Sequence, residues 1–322
     1  MKKTLSLILV LALVLSMAVF ASAEEEKKDY SDVNIAVFCK AFIGDFWQSV
    51  TAGCEAAAKD YGVNVTVDGM SSETDLEGQV KLIENAIIKG VDVIALAPID
   101  SVGNIPVAET AVDKGIKLIT FNSKLDCDLP LTHVATDNRA AGELAGKALG
   151  EAMGGKGKYA VIGAVESVKN NRDRSEGCID YITENFPEME LVSSQYCEGD
   201  MQKAISIATD LITANPDLKG FFTNNETTTI AMGTVLAEKG KVGEITHVGF
   251  DATNQTADFL RNGTTVAIVT QVPYNMGYMA IEKALAAYNG EELEATYDTG
   301  VALATPENVD SEEIQAIINP LG

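Results

Sequence analysis

Short apolar runs alternate along this chain with longer stretches in which apolar residues recur every three or four positions. Ten of the short runs read as strands. The first five cover 33–39, 63–67, 91–97, 116–121 and 131–135; the later five cover 158–162, 191–195, 220–223, 245–249 and 265–269. Trp47, Val50, Cys54, Ala57, Ala58 and Tyr61 keep helical spacing up to Gly62, and Leu76, Val80, Ile83 and Ile87 do so up to Gly90. Further helices are predicted over 138–153, 174–184, 201–214, 227–239 and 274–289. Strands that alternate with helices imply α/β architecture, with parallel sheets covered on both faces.

The strands end on polar residues. Lys40, Asn122, Asp137, Asn225, Asp251 and Gln271 stand at or just past their carboxyl ends. In a parallel sheet that edge is where ligands bind, because polar tips and helix amino ends converge there. Two such sheets facing each other would enclose a small polar molecule, which predicts a hinged pair of similar lobes. The glycine-rich segment 154–157 has a phosphate-loop look, but it follows a helix and precedes a strand, the order of a glycine helix stop.

Residues 1–23 read as an export signal: Lys2 and Lys3, an apolar run to Phe20, and Ala21-Ser22-Ala23 before Glu24. No cysteine follows the run, so a lipid anchor is not supported. The remaining residues, about 300, suit two lobes. Removing Lys2 and Lys3 takes the formal charge from −23 to −25, which argues against nucleic acid and anionic membranes as partners. Cys39, Cys54, Cys127, Cys178 and Cys197 have no metal-ligand spacing, and their odd number leaves at least one thiol unpaired within a monomer. A Cys178–Cys197 bridge is conceivable from sequence. His133 and His247 sit in strands and read as half-buried residues rather than acids or bases. Catalytic, metal and cofactor motifs are missing from the sequence, so neither an enzyme nor a bound cofactor is expected.

Several polar and aromatic positions admit both a structural and a binding reading. Phe46 and Trp47 open a helix, where adjacent aromatics either staple the core or stack on a sugar ring. The stretch Asn170-Asn171-Arg172-Asp173-Arg174 is either a surface ion cluster or a binding site, since arginine is poorly placed near a helix amino end but holds hydroxyls well. Asn225 and Asp251 suit helix caps. Gln271 has no capping role and needs a partner if buried.

The whole layout from the first strand to Thr305-Pro306-Glu307-Asn308-Val309 resembles the periplasmic sugar-binding proteins of ABC importers, of the ribose, allose and arabinose type. The pieces that carry the resemblance are Val248-Gly249-Phe250-Asp251, Thr136-Asp137-Asn138, Arg172 with Glu176-Gly177, and Gln271 with Pro273. The resemblance implies a ligand site of Lys40, Phe46, Trp47, Arg172, Asn225, Asp251 and Gln271, joined by Asn122 and Ser123 where the ribose type has Asp-Arg. Gly199-Asp200 stands where that type has an aromatic before an aspartate, and Ala97 replaces an asparagine. A pocket altered in this way is not expected to hold ribose in the usual pose. The implied division is a tether at 24–32, one lobe of 33–136 with 272–300, and a second of 137–271 with 301–322. The implied function is capture of a monosaccharide or polyol by an exported monomer, in the periplasm or outside the cell, and delivery to an ABC permease. The alternative is a sensory module for a chemoreceptor or sensor kinase.

Overall fold

The computed structural model describes residues 28–42 and 44–320. The export signal and its cleavage site lie outside them. The chain first lays down β1 (Asn34–Ala41), α1 (Asp45–Tyr61), β2 (Asn64–Met70), α2 (Leu76–Lys89), β3 (Val93–Leu96), α3 (Ile105–Asp113), β4 (Lys117–Phe121) and β5 (His133–Ala135). It then crosses to a second sheet through α4 (Asn138–Ala152), β6 (Lys156–Gly163), α5 (Lys169–Asn185), β7 (Glu188–Tyr196), α6 (Met201–Ala214) and β8 (Leu218–Thr223). That sheet continues with α7 (Glu226–Glu238), β9 (Thr246–Phe250), α8 (Asn254–Arg261) and β10 (Ala267–Gln271). α9 (Pro273–Tyr288) and β11 (Thr296–Asp298) return to the first sheet, and β12 (Val301–Ala304) and α10 (Glu312–Ile318) close on the second.

Each sheet has six strands, in the orders β11-β5-β4-β3-β1-β2 and β12-β10-β9-β8-β6-β7. Pairing is parallel except for β12, which runs antiparallel to β10. Interior β1 is buried along all but its first residue, whereas the edge strands β2 and β7 are mostly exposed or half-exposed. This is the expected outcome of covering both faces of a parallel sheet. Each of the ten predicted strands is present. β11 and β12 are short edge strands, exposed or half-buried along most of their length, and do not stand out as apolar runs.

α5 starts at Lys169, five residues before the predicted start. Its first turns are polar because Asn170 and Asn171 are buried at the sheet edge, so no apolar period marks them. α4 and α5 pack closely. A Cβ at Gly142 would collide with the Arg174 carbonyl, and one at Gly177 with that of Arg139. Glycine at these two positions lets α5 approach near enough to bring the Arg174 side chain to the amino end of α4.

Three connections pass between the sheets, at Thr136–Asp137, Gln271–Val272 and Thr299–Gly300. They are tied together. Thr136 Oγ1 donates to Gly300 O at 3.1 Å, and Asp298 accepts from the backbone N–H groups of Asp137 and Gly300 at 3.3 and 3.0 Å.

All five cysteines are free thiols, and Cys178 and Cys197 lie in different core clusters, so no bridge joins them. The histidines are fully buried rather than half-buried. His247 sits between the hydroxyls of Thr223 and Thr265, each at 2.8 Å, and burial holds its ring down at about 3. Among the described residues no helix is long and apolar enough to cross a membrane.

Candidate ligand-binding site

The second sheet's edge carries a connected set of buried polar groups. Arg174 projects from α5 and is 2% exposed. Its Nε donates to Asn138 Oδ1 at 2.8 Å and one Nη to Asn224 O at 3.0 Å, while its guanidinium lies 4.0 Å over the Phe250 ring. Burial lowers its pKa, opposed by the nearby Asp251 carboxylate. Asp251 follows β9 with φ 66, a left-handed conformation that acidic and amide side chains tolerate better than most. This backbone turn aims the carboxylate at its neighbours. Oδ1 accepts from Gln271 Nε2 at 2.8 Å and Oδ2 from the Glu226 N–H at 3.2 Å. Burial pushes the Asp251 carboxyl up, and Arg174 pulls it back down.

Two atoms of this set are left over. Arg174 Nη2 and Gln271 Oε1 are buried, and neither has a hydrogen-bond partner among the described residues. A buried orphan donor and a buried orphan acceptor each cost about 1–3 kcal/mol when left unpaired.

The first sheet contributes differently. Lys40, near the end of β1, is 2% exposed, and its Nζ reaches Asn170 Oδ1 of the other lobe at 3.3 Å. Burial lowers the ammonium to about 8. Asn170 Nδ2 in turn donates to Asn122 Oδ1 at 3.2 Å, and Asn122 takes φ 60 at the end of β4. A further bond crosses from the Lys169 N–H to Ser101 Oγ at 3.3 Å. The two sheet edges are therefore in direct contact, a closed arrangement. Ser123 turns its hydroxyl to Pro98 O at 2.8 Å.

A cavity of about 270 Å³ opens where the edges meet, lined by Phe46, Trp47, Glu73, Met201, Asn225 and Asp251 among others. Trp47 belongs to the first sheet's core cluster, packs edge-on against Phe46 and Phe121, and donates from Nε1 to Glu73 Oε1 at 2.7 Å. The two readings of this aromatic pair, core and cavity wall, therefore both hold. Asn225 also has two roles. Its Oδ1 caps α7 through the Thr228 N–H at 2.9 Å, and the residue lines the cavity. Asn122 and Ser123 instead line a second cavity of about 370 Å³ on the hinge side, next to Thr136 and Asn138.

Arg172 lines neither cavity. Its Nη1 donates to the exposed Glu166 carbonyl at 2.7 Å, and it lies at the rim, where it interacts with Asp100 of the first lobe. Arg174 is the arginine that points inward. Two residues along a helix turn a side chain by about 200°, so only one of the pair can face the site. Gly199, φ 70, does line the cavity, but the wall beside it is occupied by Met201, which the sequence pattern does not mark. Glu73 is equally unmarked, being an ordinary loop carboxylate in sequence. Asn138 and Asn170 sit in stretches that the sequence does single out, and Glu226 directly follows Asn225.

A model of the periplasmic binding protein domain matches residues 35–292. The chain is 30% identical over 276 residues to the D-allose-binding periplasmic protein of Escherichia coli K12, spanning 82% of this chain and 84% of that protein. It is 25% identical over 283 residues to the D-ribose/D-allose-binding protein of Pseudomonas aeruginosa, spanning 84% and 88% of the two chains. Among solved structures, an ABC transporter solute binding protein from Agrobacterium vitis with bound D-fucose superposes with a TM-score of 0.85 at 35% identity, over 88% of this chain and 99% of that one. With two parallel sheets meeting at their carboxyl edges and a family match over most of its length, this chain belongs to the periplasmic binding protein family, among the sugar-binding proteins of ABC importers.

Proposed function

We propose that this protein captures one monosaccharide, or a closely related polyol, between its two sheet edges and presents the closed form to an ABC permease. The observation that carries this reading is the pair of buried orphans, Arg174 Nη2 and Gln271 Oε1, beside Asp251. A sugar hydroxyl both donates and accepts, so neighbouring hydroxyls of one ring satisfy the guanidinium, the amide oxygen and the carboxylate together. Phe46 and Trp47 offer the apolar wall that a ring's C–H face requires, with Met201 opposite in place of an aromatic. Lys40, Asn170 and Asn225 complete the polar set, while Asn122 and Ser123 act from the hinge side.

Residues from both lobes meet only in the closed form, and that difference is what allows a ligand to favour closure. The mature chain starts at Glu24, acts as a monomer in the periplasm or at the cell exterior, and moves about the crossovers at 136–137, 271–272 and 299–300. Relatives that are import binding proteins favour delivery to a permease over a sensory role. A thermal-shift screen over aldopentoses, aldohexoses, 6-deoxy sugars and polyols tests the reading, since a ligand bound only by the native state raises Tm. A marked rise is expected for at least one aldose. No rise for any of them overturns the proposal.

A further inference from the structure

The helix that carries Phe46 and Trp47 into the cleft begins without a cap of its own. Six helices, α2, α4, α6, α7, α8 and α10, start with an Asp, Asn, Thr or Ser whose side chain accepts a backbone N–H of the first turn. α1 starts instead at Gly44, φ 87, which has no side chain to offer. The first N–H groups of a helix need acceptors from somewhere.

For α1 the acceptor comes from the other lobe. Glu226 Oε1 accepts the Asp45 N–H at 3.3 Å. The second carboxylate oxygen, Oε2, lies over Gly44, so close that a Cβ there would come within 2.6 Å of it. Glycine at 44 therefore provides both the left-handed backbone and the room for the visiting carboxylate. Glu226 is free to reach across because Asn225 already caps α7. A carboxylate at a helix amino end is also favoured by the helix dipole.

We propose that Glu226 is a positioning residue for ligand capture, a latch that caps α1 across the cleft and so exists only when the lobes are closed. This inference rests on the proposed capture of a ligand between the lobes. One cap biases closure by about fivefold, enough to register both in the ligand-free closed population and in affinity. Both ends of the latch border the cavity, Glu226 directly and Asp45 through its neighbour Phe46. Closing the latch therefore also fixes the aromatic wall.

The latch carries its own pH dependence. Burial, then the Asp251 charge, pushes the Glu226 carboxyl up to about 7 in the closed form. The charged groups facing it are Asp251 at the end of β9 and Asp45 on α1, both acidic, while Arg174 and Lys40 act on Asp251. An open cleft returns Glu226 to water and toward its ordinary 4.5. The closed form thus holds the proton more tightly, and lower pH favours closure. Affinity should rise by about tenfold from pH 8 to pH 6. A protonated carboxyl still has an oxygen for the Asp45 N–H, so the latch itself persists.

The test compares the mature parent with Glu226→Ala and Glu226→Gln. Calorimetry reads affinity between pH 8 and pH 6 for the sugar that gives the largest thermal shift. Energy transfer between dyes at Ile88→Cys and Val242→Cys, in a Cys127→Ser background, reads lobe opening without ligand. Glu226→Ala should move the ligand-free population toward open, weaken binding by about fivefold and abolish the pH effect. Glu226→Gln keeps an acceptor oxygen, so it should restore the closed population and still lack the pH effect. An unchanged ligand-free population in Glu226→Ala overturns the latch even if binding weakens, because the carboxylate would then be a plain ligand contact. Full pH dependence in Glu226→Gln overturns it as well. If no sugar binds the parent, the reading of the ligand fails by itself, and the ligand-free lobe distances still decide the latch.

Discussion

The two sheet edges that form the cleft are built on opposite principles. The second-lobe edge is pre-assembled: Arg174, Asn138, Asn224, Asp251 and Gln271 are joined by hydrogen bonds that stay within one lobe. The first-lobe edge is completed from outside. Lys40 finds its partner Asn170 across the cleft, Asn122 accepts from the same asparagine, and α1 takes its cap from Glu226. A rigid half that defines the ligand and a compliant half that closes over it are what hinged capture needs. Pre-organisation limits the entropy lost on binding, and contacts made only on closure couple binding to the closed state.

The sharpest way to break this comparison is to remove the centre of the rigid half. Arg174→Ala leaves Asn138 Oδ1 and the Asn224 carbonyl short of a donor and strips the counter-charge from Asp251. Loss of one member of a buried, charged, hydrogen-bonded set costs about 2–5 kcal/mol of binding. Folding stability should fall too, as measured by urea unfolding. Arg174→Lys should not rescue binding, because a single ammonium cannot bond Asn138, Asn224 and a ligand in the same fork. Parent-like affinity in either variant, read by calorimetry, would show that the site lies elsewhere in the cleft.

In the compliant half, the corresponding residue is Trp47. It is both core and cavity wall, so Trp47→Ala should cost about 3–5 kcal/mol of stability from the cavity it leaves, beyond any effect on ligand. Trp47→Phe should keep most of the packing but lose the bond to Glu73. Trp47 is the only tryptophan in the chain, and its fluorescence should change when a sugar fills the cavity beside it. Unchanged emission at saturating ligand would leave Trp47 with its core role alone.

A buried histidine in each sheet tests whether the lobes also differ in stability. Burial holds both His133 and His247 down at about 3, so each is neutral in the folded state and charges on unfolding. A depressed histidine means that the unfolded chain binds more protons between about pH 3 and 6.5, and stability falls as pH drops through that window. Asp251 and Glu226, both raised, act in the opposite direction, so the histidine effect is isolated by difference. In His247→Gln, the loss of stability with falling pH should be shallower than in the parent by about 1.4 kcal/mol per pH unit. Parallel curves for parent and variant would mean that His247 already accepts a proton in the fold.

Much of this molecule is legible in its sequence because its regular parts repeat. Each of the ten apolar runs is a strand; of the polar residues that follow them, Asn122, Asn225 and Asp251 line the two cavities, Lys40 bonds across the lobes to Asn170, and Gln271 bonds to Asp251. The short strands β11 and β12 are not legible, since they lie at sheet edges and, unlike the equally short β3 and β5, are exposed or half-buried along most of their length. Pairwise detail is hidden as well. A sequence shows that Asn224 and Asn225 end a strand, but not that the first ties loops together while the second caps a helix and faces the cavity.

The same limit explains the arginines, and it supplies the smallest effect. Asn170-Asn171-Arg172-Asp173-Arg174 is expected from sequence to lead into a helix, where rotation about the axis is undefined and either arginine suits a ligand. Once α5 starts at Lys169, the two lie about 200° apart around its axis. Gly142 and Gly177 then set which face meets α4, and that face carries Arg174. Arg172 is left at the rim with one bond to an exposed carbonyl and the charge of Asp100 across the cleft. Rim charges alter association rates more than affinity. Arg172→Ala should therefore keep equilibrium affinity within about 0.5 kcal/mol of the parent, as surface substitutions usually do. If calorimetry instead finds a loss as large as that of Arg174→Ala, then Arg172 and not Arg174 faces the ligand, and the pre-assembled half of the cleft falls with that helix register.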